Sequence, residues 1–378
     1  MNFYLYSPVY FEAWDWRNSV EKGIGGSETS HVEMAWRLAK RGHKVITYAP
    51  IPDDCSTMWR GTEWHKLEEV DWKQKGIWVL YRTPKTVDKF SPKSKRQDQI
   101  IWMLMQDWDY PDWTEKRIKE CDRILAMSKA HAKNMFQHFP SVKGLLYLIS
   151  NGVKLDLIAE TESKEIKRNP KKIIYTSSPD RGLKPALLSF KKAREYIPDL
   201  EFHAFYGFDN IDKLIKLNPN NGYSKIKAEL MKLLDQPGVT FHGRITQNEL
   251  YEHWLSAGIW IYQTNFFETS CISLMEAQSM GAVPIFSPVY AQGENIKHGI
   301  AIAGNANDSL TNARFGAELV KLASHPEIQD KFREEMIPWA RQTYDWERMV
   351  DLWECWALKK EYPYEYPTVL KESDYVGW

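Results

Sequence analysis

Residues 265–288 read NFFETSCISLMEAQSMGAVPIFSP, and this stretch decides how the rest of the chain is interpreted. Thr269 and Ser270 are residue types that cap helix N-termini, an apolar run follows them, and Gly281 is typical of a helix C-terminus. The next residues, 282–286, read AVPIF, which predicts a short buried strand. The stretch therefore predicts a loop, a helix and a strand, which is half of a βαβ unit.

Two glutamates, Glu268 and Glu276, stand eight positions apart in this stretch. The backbone N–H groups of Ser270, Cys271 and Ile272 are expected at the helix start, where they favour an anion such as a diphosphate. Eight residues make a little over two turns at roughly 3.6 residues per turn, so both carboxylates can face one ligand and accept hydrogen bonds from its hydroxyls. An ordinary amphipathic helix with one solvated and one buried glutamate fits the same spacing.

Length and composition narrow the class of protein. The 378 residues suffice for two domains, and a hydrophobic content of 43% suffices for real cores. A net charge of zero argues against a large electrostatic surface for nucleic acid or anionic membranes. The four cysteines include no CxxC pair, so neither a disulfide framework nor a zinc site is predicted. No apolar run is long enough to span a bilayer, and a cytoplasmic location is the expectation.

The first 48 residues have the pattern of a Rossmann-like start. Residues 2–9 predict a strand, residues 23–26 a glycine loop, residues 28–40 a helix, and residues 43–48 a second strand. The loop lacks the GxGxxG spacing, so the sequence does not support NAD. Glycines before a helix still let the backbone approach a phosphate or a sugar, although a tight turn explains them equally well.

Another candidate site follows the strand predicted for residues 100–105. Gln106 and Asp107 come directly after it, and the carboxyl ends of parallel strands face the ligand crevice. Residues 107–109 read DWD and fit the DxD pattern of metal-dependent glycosyltransferases with the GT-A fold. The match is only three letters long, and we expect no metal.

Residues 159–172 are charged and lack a core pattern, which predicts a linker between two domains. A strand predicted at 173–176 then leads to Arg181 and Lys184. Basic side chains between a strand and a helix suit a diphosphate, and exposed surface charges are the alternative.

Together these motifs resemble the retaining glycosyltransferases of family four, which have the GT-B fold. The most specific element is Glu268-x7-Glu276 followed by Gly-x-x-Pro at 281–284. Residues 25–28 (GGSE) and 179–182 (PDRG) are similar to two further elements of that family. The resemblance spans nearly the whole chain in order.

The resemblance implies an α/β fold with two Rossmann-like domains that face a central cleft. The expected regions are an acceptor-side domain at 1–160, a nucleotide-sugar-binding domain at 170–340, and a C-terminal helix and tail at 341–378 that return to the first domain. The implied activity is retaining transfer of a sugar from a nucleotide diphosphate sugar to an acceptor hydroxyl, without a metal or another cofactor. The donor base, the acceptor (glycan, lipid, protein or nucleic acid) and the oligomeric state stay open.

The resemblance also implies roles for particular residues. Residues with a catalytic role are Glu268, Arg181 and Lys184. Donor-binding candidates are Gly25, Gly26, Glu276, Ser270, Cys271, Ile272, Gly207, Arg244 and Ile245. Candidates on the acceptor or sugar side are Ser27, Glu28, Gln106 and Asp107. In many relatives a histidine precedes the aspartate at Asp107, and this chain has Gln106 there, which leaves the sugar contact open.

Three other functions fit part of the pattern. A sugar-nucleotide isomerase or epimerase on the same fold would form product without an acceptor. A glycoside hydrolase with Glu268 and Glu276 as its two carboxylates would need no nucleotide. A non-catalytic sugar- or nucleic-acid-binding protein would keep its ligand when Glu276 is replaced by alanine.

Overall fold

The computed structural model describes residues 1–8, 12–21, 23–110 and 112–360. The chain forms two compact units. The first contains Met1–Ser19, Ile24–Gly152 and the described residues from Tyr344 onward, and the second contains Val20–Gly23 and Val153–Thr343. Each unit is built around its own sheet of mainly parallel strands.

The helices of both units are numbered in chain order. They are α1 (Asn18–Glu21), α2 (Gly26–Lys40), α3 (Glu115–Glu120), α4 (Lys129–His138), α5 (Leu155–Glu162), α6 (Leu183–Arg194), α7 (Asp209–Leu217), α8 (Tyr223–Leu234), α9 (Gln247–Ser256), α10 (Ile272–Met280), α11 (Ala291–Asn295), α12 (Ser309–Ser324), α13 (Pro326–Thr343) and α14 (Trp346–Leu358). Within the described ranges, none of these helices is both long and apolar enough to cross a membrane.

The sheet of the first unit has eight strands within the described residues. They are β1 (Asn2–Tyr6), β2 (Lys44–Tyr48), β3 (Met58–Trp59), β4 (Thr62–His65), β5 (Gly76–Tyr81), β6 (Gln99–Leu104), β7 (Arg123–Ala126) and β8 (Leu146–Leu148). Their order is β3-β4-β2-β1-β5-β6-β7-β8, with only the β3–β4 pair antiparallel. The strand order reverses at β1, and doubly wound sheets bind ligands at the carboxyl ends of the strands beside such a point.

Helix α14 packs on the first sheet and completes its core. The rings of Trp353 and Trp356 meet the Trp102 ring of β6 edge to face, with centroids 5.8 and 6.1 Å apart. At the start of α14, a side chain at Gly152 would come within 2.7 Å of the Trp346 ring, so the glycine permits this approach. Arg41, which follows α2, pairs with three acidic side chains of the helix. These are Glu347, Asp351 and Glu354.

The sheet of the second unit has six parallel strands within the described residues. They are β9 (Asn169–Tyr175), β10 (Glu201–Phe205), β11 (Val239–Gly243), β12 (Ala257–Tyr262), β13 (Val283–Phe286) and β14 (Ile300–Ala301). Their order is β11-β10-β9-β12-β13-β14. Every residue of β12 is buried, which explains its unbroken apolar sequence, since parallel strands are covered on both faces.

The boundary between the units lies at Gly152, whereas the sequence places it near residue 160 with a linker at 159–172. Residues 155–162 instead form α5, which packs against α9 of the second unit. Only Ile158 and Thr161 of α5 are buried, so its charged residues lie on the exposed side. A short helix with two buried positions leaves little apolar periodicity for a sequence to show.

Candidate functional site

Helix α10 begins one to two residues later than its sequence predicts. Its N-cap is Cys271, with φ −98° and ψ 107°, so neither Thr269 nor Ser270 is the cap. The helix ends as expected at Gly281, which has a left-handed φ of 82°. The unpaired N–H groups of the helix start therefore begin at Cys271 and Ile272, and Ser270 lies before them. These groups keep the direction and partial positive charge that favour an anion.

Glu268 lies in a polar group just before α10. Its side chain is mostly buried, and its Oε1 accepts a hydrogen bond of 2.7 Å from the Tyr262 hydroxyl. Nη1 of Arg181 lies 3.4 Å from the same oxygen. The Ser177 hydroxyl donates to the oxygen of Tyr262 at 3.2 Å. The first glutamate of the motif and the arginine of the 179–182 loop are thus neighbours, joined by a tyrosine at the end of β12.

The loop that carries Arg181 is fixed by a close backbone contact. Gly182 has a φ of 131°, and any Cβ there would overlap the carbonyl oxygen of Gln263, which follows β12. Cζ of Arg181 stacks 4.1 Å from the centre of the Phe266 ring. Burial alone would lower the pKa of Arg181, but the nearby charge of Glu268 and the Tyr262 and Tyr206 side chains raise it overall. The guanidinium is therefore a permanent cation at this position.

Lys184, the second predicted basic residue, is not brought to this group. Its Nζ pairs at 2.6 Å with Oε1 of Glu229 on α8, and both side chains are about half exposed. Surface ion pairs of this kind contribute little to stability, so the contact is easily exchanged.

Glu276 is almost completely buried on the second turn of α10. Burial raises its pKa to about 7, although the polar side chains of Tyr251, Trp254 and Gln247 and the charge of Lys154 act to lower it. The Lys154 ammonium donates to the Gln247 side chain, which helps to hold this polar wall together. A carboxylate with such donors around it can accept hydrogen bonds from ligand hydroxyls.

The loops after β10 and β11 contain the other predicted donor residues. Gly207 has a φ of 80°, and its neighbour Tyr206 adopts a φ of 89°, which is unusual for a residue with a side chain. Nε of Arg244 donates to the Tyr206 carbonyl oxygen at 3.3 Å, which ties the two loops together. Ile245 is half-buried in the loop before α9. Strained backbone at the ends of neighbouring strands is a common feature of ligand sites.

The first unit holds a separate group of candidates. Gly25 is the N-cap of α2, and Gly26 and Ser27 are its first two residues. A Cβ on Gly25 would overlap the carboxylate of Glu28, so the glycine allows this side chain to fold back over the helix start. Burial raises the pKa of Glu28, and the nearby charges of Arg82 and Asp107 partly offset each other.

Asp107 is held in a two-pronged ion pair with Arg82. Nε and Nη2 of Arg82 lie 2.8 and 2.9 Å from the two carboxylate oxygens. Arg82 follows β5 with a φ of 63°, and Asp107 and the half-buried Gln106 follow β6, so neighbouring strand ends meet here. The first carboxylate of the DxD sequence is thus engaged by a guanidinium.

Sequence reasoning missed four residues of these groups. They are Tyr262, Lys154, Tyr206 and Arg82. Three of them stand at or just after the carboxyl end of a strand, which is a signal that the sequence contained. Their individual partners, however, come from distant parts of the chain and have no local pattern.

Comparison with known proteins gives similarity in structure only. No protein-family model and no curated protein matches the sequence at a significant level. A glycosyltransferase from Rickettsia africae ESF-5 is similar with a TM-score of 0.68 and 13% identity, over 95% of this chain and 99% of that chain. Sucrose-phosphate synthase from Thermosynechococcus elongatus has a TM-score of 0.65 and 14% identity, over 95% and 98%.

Alr3699/HepE of Anabaena, solved in complex with UDP and glucose, has a TM-score of 0.66 and 11% identity, over 95% of this chain and 99% of that chain. Identities this low establish the fold and leave the activity open. The similarity covers both units and includes their parallel sheets, so the α/β fold expected from the sequence is confirmed. The chain has the two-domain GT-B fold of these glycosyltransferases.

Proposed function

We propose that the protein is a retaining, metal-independent glycosyltransferase that moves a sugar from a nucleotide diphosphate sugar to an acceptor hydroxyl. The observation that carries this proposal is the polar group of Glu268, Tyr262 and Arg181 beside the start of α10. It combines hydrogen-bond acceptors for sugar hydroxyls with a cation and helix N–H groups for a diphosphate. The UDP in the Anabaena structure is consistent with such a donor.

Each part of the donor has a group of matching chemistry in the second unit. We assign the diphosphate to Arg181 and to the N–H groups of Cys271 and Ile272. Glu268 accepts from hydroxyls of the donor sugar, and the buried Glu276 accepts from the ribose. We assign the base to the loops after β10 and β11, which contain Gly207, Arg244 and Ile245.

The reaction breaks the bond between the anomeric carbon and the diphosphate oxygen. Arg181 and the helix start stabilise the negative charge that grows on the leaving diphosphate, and a guanidinium needs no metal to do so. The acceptor oxygen attacks from the same face, and its proton passes to the leaving phosphate oxygen. This path retains the anomeric configuration and requires no protein base.

We place the acceptor side in the first unit, at Ser27, Glu28, Gln106 and Asp107. The ion pair of Asp107 with Arg82 holds one carboxylate in a fixed position, and half-buried Glu28 offers a second acceptor for hydroxyls. We also propose a cytoplasmic location, supported by the four cysteines, none of which is in a disulfide.

The test is a screen of donors against the full chain. UDP-, GDP- and ADP-sugars are added singly, melting is followed by thermal shift, and release of nucleoside diphosphate is measured by mass spectrometry with and without EDTA. We expect nucleotide sugars of one base to raise the melting temperature and to be turned over in the presence of EDTA. The proposal fails if no nucleotide sugar shifts melting or is consumed. Activity that EDTA abolishes and Mn²⁺ restores would refute metal independence.

Arg181 and Lys184 provide a matched pair of variants. Arg181→Ala removes the cation beside Glu268 and is expected to lower kcat/KM for the donor by about 100-fold or more, because a charge-assisted contact to the leaving group is lost. Lys184→Ala removes an equally charged side chain that is paired with Glu229 instead. Equal losses in the two variants would contradict the assignment of the diphosphate to Arg181.

One observation favours a second candidate, a glycoside hydrolase. Its two carboxylates must differ in protonation, and burial raises the pKa of Glu276 to about 7 while Glu268 contacts a guanidinium. Such an enzyme would cleave aryl glycosides without any nucleotide. The wild type would then bind no nucleotide, and Arg181→Ala would have no nucleotide affinity to lower.

A further inference from the structure

Three histidines of the second unit form a cluster apart from the residues assigned above. His203 lies on β10, His242 on β11 and His253 on α9. One ring nitrogen from each histidine lies within 4.8 Å of the corresponding nitrogens of the other two. Among the described residues, these three side chains form a group that could hold a metal ion. Nδ1 of His203 and Nε2 of His242 are 2.9 Å apart.

The strands β10 and β11 fix the positions of the His203 and His242 rings. His203 and Phe205 alternate on one strand and so share a face of the sheet, and both rings contact His242 and His253. The β10–β11 register skips His242, since Ala204 pairs with Phe241 and Phe205 with Gly243. Irregularities of this kind re-aim a side chain. Phe205 stacks on the His242 ring at 4.4 Å and limits its rotation.

We propose that His203, His242 and His253 form a binding site for a divalent transition metal of the kind that prefers imidazole, with Zn²⁺ as the expected ion. Zinc binds histidine nitrogens at about 2.0–2.1 Å, so two nitrogens 2.9 Å apart are within reach of one ion. Three protein ligands leave a fourth position for water. The site does not suit Mg²⁺, because its ligands are nitrogen atoms and Mg²⁺ prefers oxygen.

The surroundings of the cluster fit this assignment. All three histidines are half-buried, so the protein partly shields their rings from water. Oε2 of Glu201 lies 3.5 Å from Nε2 of His203, the ring nitrogen on the other side from His242. A carboxylate in this position orients a metal-bound imidazole.

The ammonium of Lys172 lies beside the cluster and opposes a cation. Its Nζ lies 2.9 Å from Nδ1 of His253 and 2.7 Å from the Ser256 hydroxyl. Because Nδ1 of His253 contacts Lys172, we assign Nε2 of His253 to the metal.

The test uses the full chain without an affinity tag, stripped with chelator and titrated with ZnCl₂ against a chromophoric competitor. We expect one tight site per chain, unaffected by millimolar Mg²⁺, and tetrahedral visible bands when Co²⁺ replaces Zn²⁺. His203→Gln and His253→Gln lie on different elements, and each is expected to abolish the site. His325→Gln changes an exposed histidine of the same unit and is the control.

Lys172→Met supplies an independent readout. It is expected to tighten Zn²⁺ binding by about 10-fold, in the range of effects seen for groups around a metal, because it removes the ammonium beside His253. Circular dichroism of each variant verifies that it is folded. The proposal is overturned if the wild-type chain shows no saturable Zn²⁺ site, or if the site persists in both His203→Gln and His253→Gln.

Discussion

Replacement of Glu276 by glutamine is expected to raise the stability of the second unit, relative to the wild type, as pH rises through neutrality. The same change is expected to abolish ligand binding there. Glu276 is only 5% exposed, and burial raises the pKa of its carboxyl group from 4.5 to about 7. A folded-state pKa above the unfolded value means that the folded protein binds the proton more tightly. The stability linked to this proton is fully present below pH 4.5 and is lost as pH rises through 7.

The size of the effect follows from these two pKa values. A difference of about 2.5 pKa units corresponds to about 3 kcal/mol at pH 8 but only about 1 kcal/mol at pH 5. Glutamine has no charge to bury, so Glu276→Gln lacks this pH dependence. Relative to the wild type, the variant should therefore gain about 2 to 3 kcal/mol between pH 5 and pH 8. Any pH-independent cost of the amide cancels in this comparison.

Hydrogen exchange measures the gain at the right place. Protection of the amides of α10 and β13 is compared between variant and wild type at the same pH, so intrinsic exchange rates cancel. We expect the ratio of protection factors to rise by about 70-fold from pH 5 to pH 8, since each 1.36 kcal/mol is tenfold. Glu334→Gln, which changes an exposed carboxylate on α13, is the control. A ratio that stays constant with pH would refute the reasoning.

Three further substitutions test other parts of the structure. Gly182→Ala should destabilise the second unit by about 1–3 kcal/mol and weaken donor binding. Gly222 also has a left-handed φ but lies in open space, so Gly222→Ala should cost less stability. Equal shifts of the melting temperature in the two variants would contradict this. Tyr262→Phe should lower kcat/KM for the donor by about 10- to 100-fold, because Glu268 loses a hydrogen bond, and an unchanged value would contradict it. Trp353→Ala should cost the first unit about 3–5 kcal/mol in denaturant unfolding, and a loss below 1 kcal/mol would show that α14 is dispensable there.

The fold could be predicted because its signals are local. Buried parallel strands such as β12 leave unbroken apolar runs, and Gly281 ends a helix through a backbone property that its neighbours do not alter. The start of α10 was predicted less well. Thr269 and Ser270 are good caps in isolation, but Cys271 takes this position in the fold.

The candidate site could be predicted only in part, for a related reason. Arg181 and Glu268 are 87 positions apart in sequence, and no periodic pattern shows that they meet. The resemblance to a known family implied a role at the donor for both residues, but it also implied one for Lys184, which the fold directs toward α8. The histidine cluster was not predicted because its members are spaced without a metal motif, and the pairing of β10 with β11 and the position of α9 bring them together.

Helix α9 connects the two unusual environments of the second unit. Gln247, Tyr251 and Trp254 of this helix form the wall around Glu276, and His253 belongs to the histidine cluster. Residues 251, 253 and 254 lie within one helical turn, so the two environments share the same backbone. A metal ion on His253 would restrain the rotation and translation of α9, and the polar wall around Glu276 would be restrained with it. Under the two proposals, zinc loading is therefore expected to change nucleotide affinity while turnover continues in EDTA, and nucleotide titration with and without Zn²⁺ measures this change.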